Sequence, residues 1–340
     1  MNKIIKKILA ERSYLTGKYC LPPEFLSLII TFKCNFQCQS CSIWKKKEFD
    51  ELTEEDWLKI IQDLKGVFEK NTFVEINGGE PLIEKDLILT LIKELKKHFN
   101  NVALNSNGLL MNEKMISELE NTGLDIVKVS FYSLEESIHN FLRGNPLAYN
   151  NALNALKLLS KSKIKSEVGI LITSKNIKDL PELIGYLNSL NNTSIILQPL
   201  DESVESPESK NKDINELPDT LWPKKEEVNF FFDWILNNRK NIKNSISSIK
   251  AIEKYYLDPQ SSLSRRCFAG QKNFVVYPNG DAAMCFKGEK IGNLKKESVH
   301  EILFGSNAIR ERKYINHCRK YCRIIGCNFA RGLKEIIKGK

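Results

Sequence analysis

The sequence predicts an α/β protein, either a partial (β/α)6 barrel or an open doubly wound sheet, with a smaller unit after it. Between residues 26 and 198, short β-rich runs alternate with helix-period segments. Strict alternation implies parallel strands joined by helical crossovers. A C-x3-C-x2-C run, formed by Cys34, Cys38 and Cys41, directly follows the first strand candidate. From Cys267 onward the helical pattern gives way to a cysteine-bearing hairpin.

Six runs rich in β-branched and aromatic residues are the strand candidates. They cover residues 26–31, 73–77, 102–106, 126–131, 167–173 and 194–198. The segments between them have helical periodicity, and in the first of them Thr53 precedes Asp56 by three residues, which predicts an N-cap. The carboxyl ends of parallel strands meet at one edge of such a fold, so we expect the functional residues there.

Changes in composition divide the chain into five segments. We predict an N-terminal helical extension, a barrel, a polar linker with bridging helices, a small α+β unit and a basic tail over residues 1–25, 26–200, 201–260, 261–330 and 331–340. The bridging helices are predicted at about 224–240 and 246–257. In the α+β unit, the turn sequence Pro-Asn-Gly-Asp at 278–281 predicts a hairpin with Cys285 on its second strand.

The composition is that of a globular protein without a membrane span. Hydrophobic residues make up 42% and charged residues 27% of the chain. No apolar run approaches the roughly 18–20 residues of a span, and the N-terminus lacks the apolar core of a secretory signal. We therefore expect a cytoplasmic protein. The net charge of +9 reflects a lysine-rich composition, and no aromatic-rich RNA-binding appendage accompanies it, which argues against nucleic acid as a partner.

Three closely spaced cysteines suit an iron–sulfur cluster better than zinc. In a reducing cytosol, clustered cysteines are metal ligands more often than disulfides. Structural zinc takes four closed ligands, often as two CxxC pairs, and no histidine stands near this run. A [4Fe–4S] cube takes one ligand per iron, so three thiolates leave one iron open to an outside ligand.

At this run the sequence resembles the radical S-adenosylmethionine (SAM) superfamily, whose signature is CxxxCxxC after the first strand of a partial TIM-like barrel. The resemblance implies that Cys34, Cys38 and Cys41 hold a [4Fe–4S] cluster whose free iron binds SAM. It also implies that an electron from this cluster cleaves SAM to methionine and a 5′-deoxyadenosyl radical, which abstracts hydrogen from a substrate. An electron donor such as flavodoxin or ferredoxin is the implied partner.

Two later strand ends carry motifs that resemble the family's SAM contacts. The second strand runs into Gly78, Gly79, Glu80 and Pro81, which resemble the GGEP motif that holds the methionyl amine. Glycine allows a close approach of backbone to ligand, and proline stiffens the turn. The third strand ends in "NSNG", and the resemblance implies that its Ser106 and Asn107 contact the ribose.

The remaining SAM candidates come from the fourth and sixth strands. The family often has a Ser-x-Asp at the end of strand four and then a helix that ends in Arg-Gly, which Ser130, Arg143 and Gly144 match. Tyr132 stands where the family has Asp. At the end of strand six, Gln198 is an adenine-side candidate.

The second cysteine group resembles the SPASM and twitch extensions of the same superfamily, which bind auxiliary [4Fe–4S] clusters. Cys267, Gly280 and Cys285 form a C-x12-G-x4-C hairpin motif. Further metal-ligand candidates follow at Cys318, Cys322 and Cys327. Five cysteines suit one fully ligated auxiliary cluster and one spare thiol, for which we favour Cys327, whereas a second auxiliary cluster would need other ligands.

The resemblance implies a radical SAM oxidoreductase of the maturase type that acts on a peptide or a small molecule. Only 33 residues precede Cys34, so a peptide substrate is expected to need a separate recognition protein. No catalytic acid or base is identified by the sequence. Two alternatives stay open: an RNA-modifying radical SAM enzyme, and a zinc-stapled α/β binding protein without redox chemistry, which would be colourless rather than brown.

Overall fold

A computed structural model describes residues 3–46, 50–200 and 221–324. Its strands are β1 (Phe25–Ile29), β2 (Phe73–Asn77), β3 (Asn101–Ser106), β4 (Ile126–Ser130), β5 (Lys165–Leu171), β6 (Thr193–Gln198), β7 (Asn273–Val276), β8 (Asp281–Ala283) and β9 (Gly292–Asn293). Its helices are α1 (Lys3–Thr16), α2 (Glu54–Val67), α3 (Lys85–Lys96), α4 (Glu113–Asn121), α5 (Glu136–Arg143), α6 (Ala148–Leu159), α7 (Leu180–Leu187), α8 (Lys225–Asn237), α9 (Ile246–Leu257), α10 (Ala269–Lys272), α11 (Val299–Phe304) and α12 (Ser306–His317).

The strands form one sheet in the order β6-β5-β4-β3-β2-β1-β7-β8-β9. Each of β1 to β6 pairs in parallel with its neighbours in this order, and helices connect them along the chain. The sheet stays open, with β6 at one edge and β9 at the other. This arrangement confirms the predicted α/β fold with a partial (β/α)6 barrel.

The cysteine-bearing hairpin continues the barrel's own sheet, which the sequence did not predict. β7 pairs in parallel with β1, so that Leu26 lies opposite Phe274. β8 then pairs with β7 in the antiparallel direction. Because β1 and β7 are parallel neighbours, their carboxyl ends lie side by side, and the chain continues from both strands at the same end of the sheet.

The alternation of residues along the strands separates two faces. Leu26 and Leu28 of β1, and Val74 and Ile76 of β2, are fully buried in the main hydrophobic core with residues of the helices. The residues between them point to the opposite face, because successive side chains of a strand alternate. We call this opposite side the inner face of the barrel.

The predicted cap of the first crossover helix is present. The Thr53 hydroxyl accepts from the Asp56 N–H at 3.2 Å, and the Asp56 carboxylate accepts from the Thr53 N–H at 3.1 Å. This reciprocal pair is a capping box. It fixes the start of α2, the first crossover helix after the cysteine run.

One sequence expectation is wrong in detail. Cys285 does not lie on the second hairpin strand, because β8 ends at Ala283. Cys285 follows in a tight turn, in which its carbonyl accepts from the Gly288 N–H at 3.0 Å. Cys285 therefore lies outside the sheet, and the alternation of side chains along β8 does not determine where its thiol points.

Several predicted parts lie outside the described residues. They are Cys327, the polar segment 201–220 and the basic tail 331–340. Among the residues that are described, no helix is both long and apolar enough to cross a membrane.

Candidate cluster and SAM site

The first cysteine group lies in a loop at the carboxyl end of β1. The thiols of Cys34, Cys38 and Cys41 are close enough for their charges to interact. Within the loop the Cys41 N–H donates to the Cys38 carbonyl at 3.3 Å. The fold therefore brings the three predicted ligands together, at the edge where a parallel barrel places its chemistry.

Most of the described candidate cysteines share one local geometry. In each case the sulfur accepts a hydrogen bond from the backbone N–H two residues ahead, as at Cys34, Cys41, Cys267, Cys285 and Cys318. Burial raises the pKa of Cys41 to about 11 and that of Cys285 to about 12. The N–H donors oppose this effect because they favour the thiolate, and N–H···S bonds also tune bound clusters.

The two glycines of the GGEP motif lie directly against the cysteine loop. The Gly79 N–H donates to the Thr31 carbonyl, and the Glu80 N–H donates to the Lys33 carbonyl, both at 2.8 Å. A Cβ on Gly78 would lie 2.6 Å from the Thr31 oxygen, and one on Gly79 would lie 2.2 Å from the Lys33 oxygen. The chain's own backbone therefore already requires both glycines, apart from any contact with SAM.

Glu80 is a buried link between two strand ends. Its side chain is fully buried and accepts from the Ser106 hydroxyl at 3.0 Å, the Leu82 N–H at 3.2 Å and the Asn107 N–H at 2.7 Å. Burial raises the pKa of Glu80, and these three donors together with the nearby Arg143 oppose the rise. The Glu80 carboxylate is the acceptor in all three hydrogen bonds, and this geometry suits its ionised form.

Arg143 lies behind the cysteine loop and is nine-tenths buried. Its Nη1 donates to the Tyr132 hydroxyl at 3.1 Å, and its guanidinium lies over the rings of Phe36 and Tyr132. Its charge interacts with Cys38 and Cys34, and its buried Nε has no hydrogen-bond partner within the described structure. Tyr132, which stands where the family has Asp, thus accepts a hydrogen bond from this arginine.

The structure places the other SAM candidates in two different settings. Ser106 and Asn107 are buried at the end of β3 and are bonded to Glu80. Ser130 is the last residue of β4, and Gln198 is exposed at the end of β6. Both flank β5, where Ser130 is opposite Gly169 and the Gln198 side chain comes within 4 Å of a Cβ built on that glycine. Their contacts with SAM stay predictions.

The second cysteine group gathers beside the hairpin. Cys267, Cys285 and Cys318 are close enough for their charges to interact. Cys322 is buried in the last described turn. Next to it, Arg323 donates from Nη1 to the Arg265 carbonyl at 2.6 Å and to the Leu263 carbonyl at 3.2 Å, which ties this turn to the segment that leads into Cys267.

A small apolar cluster joins the segments that lead to the two cysteine groups. It comprises Ile29, Ile43, Phe32, Val275 and Tyr277. The rings of Phe32, two residues before Cys34, and Tyr277, at the end of β7, have centroids 6.2 Å apart. The Tyr277 side chain also interacts electrostatically with Cys285. The sequence reasoning missed Tyr277, because the pairing of β7 with β1 determines its position.

Further along the inner face, charged side chains form a connected network. Lys128 of β4 bonds to Glu75 of β2 at 2.5 Å and to Glu167 of β5 at 2.9 Å. Lys243 bonds to Glu167 at 2.6 Å. Parallel barrels usually fill their interior with branched apolar side chains, so this inner face is unusually polar.

The residues fit the implied iron–sulfur and SAM groups. The loop offers three thiols, two of which accept N–H donors at sulfur, and the charge of the buried Arg143, whose Nε is unpartnered, interacts with Cys34 and Cys38. In the described ranges, no set of three or more His, Cys, Asp or Glu side chains is arranged around a single metal ion. A cube differs from such a site, because each of its irons takes one protein thiolate. The fold and the two cysteine groups together define a barrel enzyme of the iron–sulfur class.

Comparisons with known proteins identify the family. Residues 28–187 match the model of the radical SAM superfamily, and residues 267–328 match that of the SPASM iron–sulfur cluster-binding domain. The chain belongs to the radical SAM superfamily and is a radical SAM enzyme with a C-terminal SPASM domain. It binds a [4Fe–4S] cluster together with SAM, and its SPASM domain is the part that binds auxiliary iron–sulfur.

Relatives cover most of the chain. A PqqA peptide cyclase of Bradyrhizobium diazoefficiens is 27% identical over 288 residues, which are 82% of this chain and 70% of that protein. A second PqqA peptide cyclase, from Granulibacter bethesdensis, is 22% identical over 82% of this chain and 72% of its own length.

Solved structures share the fold. The SAM-bound structure of SuiB from Streptococcus suis has a TM-score of 0.66 at 14% identity, over 90% of this chain and 71% of that one. Native anSMEcpe with bound AdoMet has a TM-score of 0.62 at 17% identity, over 84% and 82% of the two chains.

Proposed function

We propose that this protein modifies a peptide by radical chemistry, with hydrogen abstraction at the barrel site and electron transfer to an auxiliary cluster. The relatives named PqqA peptide cyclase support a peptide substrate, because they align with four-fifths of this chain. The fold neighbours support the same class, since one title names a complex of SuiB with the precursor peptide SuiA.

The observation that carries the proposal is the parallel pairing of β1 with β7. β1 leads into the loop of Cys34, and β7 leads through Tyr277 into the turn of Cys285. A substrate held against the apolar cluster between them would therefore face both cysteine groups. This arrangement supports a reaction in which hydrogen removal and the later loss of an electron occur at one bound substrate.

The polar inner face supports a substrate rich in hydrogen-bonding groups. Glu75 and Lys128 keep about a quarter of their side-chain surface exposed, at 26% and 21%. Peptide groups offer both donors and acceptors to such a surface. A purely apolar substrate would instead leave these charges buried and less well solvated.

The chain's own contribution is to position, to shield and to balance charge. When bound, the reduced cluster supplies the electron that cleaves SAM and so yields the radical that abstracts hydrogen. The positive charge of Arg143 offsets the negative charge of the Cys34 and Cys38 thiolates. The hydrogen bonds of Glu80 hold the loop after β3 against the loop after β2. Phe32 and Tyr277 provide apolar cover that keeps water from the space between the two sites.

We further propose two partners and a compartment. The chemistry needs a one-electron donor such as flavodoxin or ferredoxin, which implies a reducing, cytoplasmic setting. A separate protein that recognises the peptide is the second proposed partner.

The test uses short peptides encoded beside the gene for this protein. Each is incubated anaerobically with the reconstituted enzyme, SAM and a reductant. We expect one peptide to lose the mass of two hydrogens and, when deuterated, to transfer deuterium into 5′-deoxyadenosine. Transfer of deuterium from a sugar but from none of the peptides would replace the peptide by a small molecule.

A further inference from the structure

We infer that Asn35 is a positioning residue that holds the Cys34–Cys38 loop in its ligand-ready shape before iron arrives. Asn35 lies between the first two cluster cysteines and is half-buried. The Asn107 Nδ2 donates to the Asn35 Oδ1 at 2.6 Å, and the Asn145 Nδ2 donates to the Asn35 carbonyl at 3.2 Å. The loop is thus fixed by two asparagines from different parts of the barrel.

The first of these asparagines is itself rigidly held. The backbone N–H of Asn107 donates to Glu80, and its Oδ1 accepts from the Leu109 N–H at 3.0 Å. The amide orientation is therefore set, with Nδ2 directed at Asn35. Glu80 in turn donates its own N–H to the Lys33 carbonyl just before the cysteines. A closed ring of contacts connects the loop after β1, the loop after β2 and the loop after β3.

The second side of the loop is held by the end of α5. The Gln39 N–H donates to the Leu142 carbonyl at 3.1 Å. Gly144 has a φ of +60°, and a Cβ on it would lie 2.0 Å from the Gln37 carbonyl oxygen. The turn that carries Asn145 therefore packs directly on the cysteine loop, and Asn145 has its own Oδ1 occupied by the Leu147 N–H at 2.8 Å.

These contacts have a consequence for cluster binding. A loop that is already ordered loses less conformational entropy when its thiolates take up iron. A hydrogen bond between side chains contributes about 1 kcal/mol, which corresponds to roughly a five-fold change in an equilibrium constant. The inference concerns the site alone and does not depend on the identity of the substrate.

The experiment measures iron loss and loop order separately. Reconstituted wild type, Asn35→Ala, Asn107→Ala and the double variant are exposed to an iron chelator, and the SAM-sensitive part of the cluster EPR signal is followed. We expect each single variant to lose this signal about five-fold faster, and the double variant to be no faster than the singles. The auxiliary signal should decay as in wild type. Asn151→Ala should match wild type, because it removes a half-buried asparagine whose side chain donates to the carbonyl of Leu147, at the start of its own helix.

Hydrogen exchange on the iron-free proteins provides the second readout. Amides of residues 34–41 should exchange faster in Asn35→Ala, whereas Asn35→Asp should restore protection because its carboxylate can still accept from Asn107. Unchanged exchange, additive effects of the two substitutions or an equal loss of both clusters would overturn the inference.

Discussion

The Oε2 atom of Glu80 accepts a 2.7 Å hydrogen bond from the backbone N–H of Asn107. Glu80 belongs to the loop after β2, and Asn107 to the loop after β3. The carboxylate thereby fixes two neighbouring strand ends from a position that is closed to water. Its role in this structure is to join parts of the chain, whatever further contact it makes with SAM.

Glu80→Gln is expected to destabilise the protein. The amide places a donor where the carboxylate accepts three hydrogen bonds, so one buried donor meets another. Such a mismatch costs about 2–3 kcal/mol, or about 4–8 °C in the midpoint of anaerobic thermal unfolding. Glu84→Gln is the matched control, since Glu84 pairs with the exposed Lys33 and should change stability by less than about 1 kcal/mol. An unchanged midpoint for Glu80→Gln would mean that the carboxyl is already protonated.

The sequence predicted much of this site, and the limits of that prediction have physical causes. Local patterns placed the six parallel strands, the cysteine loop and the "NGGEPL" turn, because alternation and strand ends are local properties. The contacts of Gly79 with Lys33 and of Tyr132 with Arg143 could not be predicted, since they depend on how separate strand ends meet in space. The same holds for Asn35, because its partners Asn107 and Asn145 are distant from it in the sequence.

Gly79→Ala is expected to disturb the cysteine loop as well as the SAM turn. The new Cβ would lie 2.2 Å from the Lys33 oxygen, and its nearest neighbours are all backbone atoms of Phe32 and Lys33, so no flexible side chain can move aside. The loop of Cys34 must therefore shift, and we predict that reconstitution yields fewer irons at the barrel site than at the SPASM site. Gly66→Ala is the control, because nothing lies within 4 Å of its Cβ, and alanine in this helix should stabilise by about 0.5–1 kcal/mol. Full iron occupancy with weak SAM binding in Gly79→Ala would instead show that only the ligand contact matters.

Arg312 is predicted to be essential for the attachment of α1 to the C-terminal segment. Its side chain is almost completely buried and donates to the carbonyls of Gly17, Gly270 and Leu303. Burial lowers the pKa of Arg312 to about 10. Arg312→Lys cannot reach three separate carbonyls, so we expect a loss of about 3 kcal/mol in the free energy of unfolding.

The measurement for Arg312 is anaerobic thermal unfolding, with Arg310→Lys as its control. Arg310 is exposed and bonds to Asn307 within its own helix, and its replacement should stay within about 0.5 kcal/mol of wild type. Equal midpoints for the two variants would show that the carbonyls are readily resolvated.

His139 should make the protein less stable as the pH falls. The buried ring accepts at Nδ1 from the Tyr132 N–H at 3.1 Å, and burial lowers the pKa of His139 from 6.5 to about 3. Below pH 6.5 the unfolded chain binds a proton that the folded chain does not, so this stability is present above the unfolded pKa and is lost towards acid. Between pH 8 and pH 6 the loss amounts to about 0.8 kcal/mol. His139→Asn should unfold with a correspondingly smaller pH dependence, and identical slopes would refute the assignment.

Iron counting tests the assignment of the two cysteine groups. Each cube contains four irons, so a protein with one barrel cluster and one auxiliary cluster should hold about eight irons per chain. The triple variant Cys34→Ala, Cys38→Ala and Cys41→Ala should keep about four and should no longer cleave SAM. About twelve irons in the wild type would reveal a second auxiliary cube, with ligands other than cysteine. Zinc in place of the second four would leave the barrel chemistry intact but remove the proposed electron acceptor.

Single substitutions in the SPASM domain then identify the fourth auxiliary ligand. Cys267, Cys285 and Cys318 already lie together, and the buried Cys322 is held close to them because Arg323 binds the segment before Cys267. We therefore expect Cys322→Ala to reduce the iron content to about four per chain and Cys327→Ala to leave about eight. Cys20→Ala is the control and should also keep about eight, because Cys20 belongs to neither group. If Cys327→Ala loses four irons while Cys322→Ala keeps them, the two cysteines exchange roles and Cys322 is the spare thiol.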